Sequence, residues 1–194
     1  MLIVSILLMI VLLFLESIRE VYVKEDYLIL VNKDNPIESD YVPDDLVKVD
    51  LPTIFDREVY ISGVVLNAYE ELYFNASENN LNLHVFSGYR SYTYQKEIFT
   101  NEFETARPGY SEHQIGLALD VSTPDIGLTE PLGEMPEGIW LRNNAYKYGF
   151  IIRYPQNKEH ITKYIYEPWH LRYVGKYHAK KIHQKDLTLE EYLN

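Results

Sequence analysis

The chain has 194 residues, enough for one domain with a sizeable core and too few for two full ones. Hydrophobic residues make up 46%, including 18 tyrosines, which sets it apart from disordered chains. A net charge of −11 without a basic stripe argues against a nucleic-acid partner; the absence of cysteine removes disulfides, thiolate metal sites and cysteine nucleophiles, leaving His, Asp and Glu to hold any metal.

Leu2 to Leu15 (LIVSILLMIVLLFL) is apolar except for Ser5. The run has the length of a signal-peptide core rather than of a comfortable membrane span. No Lys or Arg precedes it, no A-x-A-like site follows it, and Glu16, Arg19 and Glu20 come at once. Residues 1–23 are therefore expected to be an uncleaved membrane anchor, with residues 24–194 as one domain outside the cell; secretion after cleavage is the alternative. Tyr27–Asn32 (YLILVN) reads as a short strand, and Asn35-Pro36 and Val42-Pro43-Asp44-Asp45 as turns. Ile61, Val65, Ala68, Tyr69 and Leu72 recur at helical spacing and predict an amphipathic helix over Arg57–Asn75. Leu83–Ser87 reads as a strand, Ser91 as the cap of a helix through Tyr94, Gln95 and Ile98, and Gly116–Val121 (GLALDV) as a buried strand.

Ile139–Tyr148 reads as a helix stopped by Gly149, and Phe150–Tyr154 (FIIRY) and His170–Val174 as strands. The lysine-rich stretch from Lys176 to Lys185 reads as the solvated face of a helix, and Thr188 with Glu191 as a capping box. Helices and strands mix without regular βαβ alternation, which predicts an α+β domain around a central, mainly antiparallel sheet.

Six histidines are scattered along the chain, and two stand in contexts that raise them above the rest. In Ser111-Glu112-His113-Gln114-Ile115-Gly116-Leu117-Ala118-Leu119-Asp120, an imidazole and a carboxylate lie seven residues apart. An odd separation along one flat strand puts them on opposite faces, so they share a metal only if the chain bends, and Gly116 permits a bend. On these residues alone, Asp120 ending a strand and His113 capping a loop weighs equally. In Glu167-Pro168-Trp169-His170, a turn places one group on a metal and the other beside it. Two His and one Asp form a sound zinc set with a position left for water, and Glu167 is then more useful as the base than as a fourth ligand. Arg90, in Ser87-Gly88-Tyr89-Arg90-Ser91, offers a forked cation for a substrate carboxylate or for an oxyanion.

SGYRSYTYQ, RPGYSEHQIGLALDV, GFIIRYP and EPWHLRYVG, in that order, closely resemble the VanY-type D-alanyl-D-alanine carboxypeptidases. These belong to a wider group of zinc peptidases that includes VanX-type dipeptidases and L,D-carboxypeptidases. The resemblance spans roughly Tyr27 to Lys176. It implies a small α+β fold with one zinc ion on the central sheet, and a peptidoglycan stem peptide ending in D-Ala as substrate. Carried over position by position, it implies His113, Asp120 and His170 as zinc ligands, Glu167 as base and Arg90 as the group that stabilises the carbonyl oxygen. Ser111 and Gln95 match substrate-contacting positions, and Tyr154 and Trp169 are assigned to the pocket wall. The first expectation is a D,D-carboxypeptidase trimming pentapeptide stems. An L,D-carboxypeptidase acting on tetrapeptide stems is second, and a non-catalytic module of the same fold third.

Overall fold

The computed structural model of the chain describes Met9 and residues 27–101 and 105–194. The expected anchor at residues 1–23 thus lies outside the described residues, apart from Met9. Among the described residues no helix is long and apolar enough to cross a membrane.

Four strands carry the domain: β3 (His84–Ser87), β4 (Ala118–Ser122), β5 (Phe150–Tyr154) and β6 (Glu167–Tyr173), all paired antiparallel in the order β3-β4-β6-β5. Side chains alternate across a strand. Val85, Leu119, Val121, Phe150 and Leu171 therefore point to one face, where they form the main core with helix α1 (Gly63–Glu78). From α1 that core receives Val65, Ala68, Tyr69, Leu72 and Ala76, the i, i+3, i+4 stripe expected of an amphipathic helix. The opposite face carries Asp120, His170, Arg172 and Arg153, all buried. An α+β domain with an antiparallel sheet is what the sequence led us to expect.

Two expectations along the first half are corrected. The helix begins at Gly63 rather than Arg57 and runs to Glu78, because Tyr60–Ser62 is strand β2, paired with β1 (Leu46–Lys48). Ile61 is buried as a strand residue opposite Val47, so its helical spacing to Val65 was coincidental. Asp45 supplies the helix start: its Oδ2 accepts from the Gly63 N–H at 3.1 Å and from the Ser62 hydroxyl, placing a carboxylate at the positive end of the helix. Tyr27–Asn32 is turn and irregular chain, not a strand. The carbonyls of Tyr27 and Ile29 accept from Arg172 Nη2 at 2.9 and 2.8 Å, and Asn32 Oδ1 closes a local turn on the N–H groups of Asp34 and Asn35.

The second half follows the sequence more closely. Ser91 caps α2 (Tyr92–Ile98) by accepting from Tyr94 N. Helix α3 (Pro136–Asn144) starts three residues earlier than expected, with Pro136 in its first turn, and continues as a 3-10 turn (Ala145–Tyr148) that Gly149 ends at φ 94°. A short α4 (Glu159–Thr162) precedes β6. The lysine-rich stretch is α5 (Lys176–Lys185), buried at Ala179 and Ile182, and the capping box of Thr188 and Glu191 opens α6 (Leu189–Leu193).

If α1 anchors the core face of the sheet, Leu72→Ala should lower stability by about 2–5 kcal/mol, while Phe74→Ala, on the exposed side of the same helix, should cost well under 1 kcal/mol. Thermal unfolding of the two variants checks this; equal losses would mean that α1 is not docked as described.

Candidate metal centre and active site

Asp120 and His170 stand directly opposite each other on β4 and β6, so the register alone puts both on the polar face of the sheet. His113 arrives from a different element. Glu112–Ile115 is a single 3-10 turn, and Gly116 ends it in the left-handed region at φ 70° before the chain enters β4. That turn resolves the odd spacing between His113 and Asp120, as the bend expected at Gly116. The turn is tied to the chain after β3: Arg90 N donates to the His113 carbonyl at 3.2 Å, and His113 Nδ1 donates to the Gly88 carbonyl at 2.6 Å. Gly88 admits no side chain there, since a Cβ would lie 2.4 Å from the Tyr60 carbonyl.

Glu167 and His170 were expected in a turn; they lie instead at the start of β6. Between Ile152↔Leu171 and Tyr154↔Glu167 the register shifts, two residue steps on β5 against four on β6. Pro168 sits in this irregularity, a position suited to a residue with no N–H for the ladder. The shift brings Glu167 to the His170 side of the sheet although they stand three positions apart, leaving Glu167 Oε2 3.7 Å from His170 Nδ1.

The three expected ligands converge. Asp120 Oδ2 lies 3.3 Å from His113 Nε2 and Oδ1 lies 3.0 Å from His170 Nδ1, and one ligand atom from each residue falls within 4.8 Å of the others. Tetrahedral zinc with bonds of about 2.0–2.1 Å spaces its ligand atoms by about 3.3 Å, so this cluster fits the ion. His113 Nε2 is buried with no hydrogen-bond partner, the condition of an atom built for a ligand.

The electrostatics agree. Burial and the nearby Arg90 lower His113 to about 4, so the ring is neutral near pH 7; with Nδ1–H given to Gly88, Nε2 keeps its lone pair. Burial pushes Asp120 up, but His113 and His170 outweigh it and hold the carboxyl below the usual range. For His170 burial lowers the value, yet contacts with Asp120 and Glu112 prevail and raise it to about 9; a bound dication would displace that proton. Burial, reinforced by Asp120, raises Glu167 to about 7 against the opposing pull of His170 and Arg90.

These residues line a cleft of about 220 Å³ that also holds Arg90, Ser111, Tyr154 and Trp169. The Arg90 Nε is buried without a partner, and the Tyr154 ring lies 5.0 Å from His170. Gln95 is absent from the lining: it is fully buried and donates from Nε2 to the Ala106 carbonyl at 2.7 Å, behind the cleft wall. Thr105, Ala106, Leu128 and Tyr164 line the cleft and carried no signal in the sequence, whereas Glu112, beside His113, was within reach of it. A larger cavity of about 350 Å³, bounded by α3, β5 and α5, contains none of the expected site residues.

The sequence model of the family described as VanY: D-alanyl-D-alanine carboxypeptidase matches residues 58–176, which include every residue of the cluster. The chain belongs to this family. It is 48% identical over 183 residues to YodJ of Bacillus subtilis, an alignment covering 87% of the chain and 67% of that protein. Among solved structures it is similar to the LdcB LD-carboxypeptidase, with a TM-score of 0.81, 47% identity and 84% of each chain covered. It is also similar to VanYB in complex with D-alanine-D-alanine, with a TM-score of 0.71, 37% identity and 87% and 97% of the two chains covered.

A chain stripped with a chelator and titrated with zinc should take up about one ion, and His113→Ala or Asp120→Ala should remove most of that binding. Elemental analysis after dialysis reads the outcome; full occupancy in either variant would mean a different ligand set.

Proposed function

We propose that the chain is a zinc-dependent carboxypeptidase that removes the terminal D-alanine from peptidoglycan stem peptides. The reading is carried by one observation: a half-buried carboxylate, Glu167, stands 3.7 Å from a nitrogen of the His–Asp–His set without belonging to it. A module kept only for binding has no use for such a group. The donor set of two imidazoles and one carboxylate suits zinc and leaves a position open.

Zinc, when bound, supplies the Lewis acidity that makes water and the scissile carbonyl reactive near neutral pH. Glu167 accepts the proton of the attacking water and returns it to the amine of the departing D-alanine, serving first as base and then as acid. The Arg90 guanidinium meets the negative charge that grows on the carbonyl oxygen, and a partner-free Nε costs no rearrangement when that charge appears. Ser111 offers its hydroxyl to the peptide. Gln95 supports the wall the peptide lies against, through Ala106. Tyr154 and Trp169 shield the reacting atoms from bulk water.

The family description favours the D,D reaction on pentapeptide stems. A second reading, L,D cleavage of tetrapeptide stems, is favoured by the greater likeness to LdcB, 47% identity against 37% for VanYB. Mass spectrometry of products from purified penta- and tetrapeptide stems decides between them, and no release of D-alanine from either by the zinc-loaded chain would sink both. In the same assay Glu167→Gln should keep its zinc and lose roughly a hundredfold to ten-thousandfold in kcat. Loss of zinc in that variant would make Glu167 a ligand and leave the base unassigned.

We further propose that residues 1–23 hold the enzyme on the outer side of the cell membrane, a reading supported by the apolar run Leu2–Leu15 and the missing cleavage site. The full chain should then stay with the membrane fraction and be digestible by protease added outside. A soluble mature form lacking its first 20 or so residues would overturn this.

A further inference from the structure

Glu112 is a buried charged group to which the reaction gives no part. Its side chain is fully enclosed, and its Oε1 accepts from Arg153 Nε at 2.7 Å and from Arg172 Nη1 at 2.6 Å. Its Oε2 has no hydrogen-bond partner and lies 3.6 Å from His170 Nε2, which is also buried and also has none. Two orphaned polar atoms thus face each other at a separation slightly too long for a hydrogen bond. The other ring nitrogen of His170 faces the metal cluster, 3.0 Å from Asp120 Oδ1.

We propose that Glu112 is a positioning residue whose carboxylate takes the Nε2 proton of His170 as a hydrogen bond and so reserves Nδ1 for the metal. The inference rests on the metal-centre reading above. A neutral imidazole carries one N–H, and the site offers it two competing acceptors. Asp120 draws the proton to Nδ1, where it blocks coordination; Glu112 draws it to Nε2, where it leaves the metal-facing lone pair free. Arg153 and Arg172 fix one oxygen of Glu112 and thereby aim the other. The ring itself is held between Tyr154, at 5.0 Å, and His113, at 4.9 Å. His113 has the matching arrangement, its far nitrogen bonded to the Gly88 carbonyl at 2.6 Å. Each ligand imidazole so has an acceptor of its own on the side away from the metal, the outer-shell partner that orients such ligands.

The test is zinc affinity in the full chain, measured by competition with a chromophoric chelator, for Glu112→Asp, Glu112→Gln and Glu190→Gln. Glu112→Asp keeps the charge that the two arginines need and withdraws the carboxylate from His170 by one methylene. It should fold as the parent chain does by circular dichroism and bind zinc ten- to a hundredfold more weakly, with a changed visible spectrum when cobalt replaces zinc. Glu112→Gln should lose at least as much affinity. Glu190→Gln disturbs the same arginine from its other side, bonded at 2.6 and 2.8 Å, without touching His170; it should lower the melting temperature and leave zinc affinity unchanged. Parental affinity in both Glu112 variants overturns the proposal, and so does an equal loss in Glu190→Gln, which would make the network merely structural. Should the Glu112 variants not fold, ¹⁵N spectra of the zinc-loaded parent decide: a proton on His170 Nε2 supports the assignment and zinc on Nε2 overturns it. A parent chain that binds no zinc fails the metal-centre reading and this inference with it.

Discussion

The pairing of Glu112 with Arg153 and Arg172 is the interaction on which the rest of the domain depends. No atom of the three side chains reaches solvent. Taking such ions out of water costs several kcal/mol each, and only good geometry with every remaining donor used offsets that cost. Here every guanidinium nitrogen is used. Arg153 turns its two terminal nitrogens to Glu190, and Arg172 gives Nη2 to the carbonyls of Tyr27 and Ile29 and Nε to that of Tyr173. Two cations and two anions balance, and through them Tyr27 and Ile29, the His113 turn, β5, β6 and the last helix become one unit. Apolar side chains of the same volume would hold these elements together as well. What they would lack is a fixed carboxylate beside an imidazole of the candidate metal cluster, as the proposed role of Glu112 requires.

That network and the metal cluster share one face of the sheet because the strands obey a period of two. Leu119 and Leu171 go to the core; their chain neighbours Asp120 and His170 go to the cleft. A slip of one residue between β4 and β6 would break the Asp120↔His170 pairing, and a flip of either strand would bury its ligand under α1. The apolar face thus pins the register that the site needs. The irregularity at Pro168 is where the strand departs from that period, and the departure shapes the cleft: a regular strand would send Glu167 to the face opposite His170.

Much of this was legible in the sequence where the determining interactions are local. Strand β5, the Ser91 cap, the Gly116 bend, the Gly149 stop and the Thr188–Glu191 box each depend on a few neighbouring residues and stand where the pattern put them. The failures have distant causes. YLILVN has the composition of a strand, but its carbonyls are taken by Arg172, 143 and 145 residues away in the chain. Ile61 fits the helical stripe, yet it belongs to a hairpin whose other strand begins at Leu46. Glu167 to His170 looked like a turn because nothing in four residues announces that β5 will pair beside them. The candidate ligand set came together for a different reason: its residues stand in motifs that resemble one family in order and spacing, and the structure brings the three within reach of one ion.

The same division separates chemistry from specificity. The groups that would hold the ion, move the proton and meet the oxyanion sit on β4, β6, a 3-10 turn and the stretch after β3, held by backbone and buried charge. Thr105, Ala106, Leu128 and Tyr164 face the cleft from the connecting segments, where no motif marks them. The two peptidase readings differ in the handedness of the residue before the cut, that is, in which way one side chain points as the same carbonyl meets the same metal. A metal ion and a carboxylate base are indifferent to that direction. The cleft wall is not, since a side chain of the wrong hand meets it as a clash. Through its bond to the Ala106 carbonyl, the motif residue Gln95 supports that wall from behind. A sequence that announces the reaction so plainly can therefore be silent about which stem it acts on, because discrimination rests on the shape of segments that only the fold brings to the cleft.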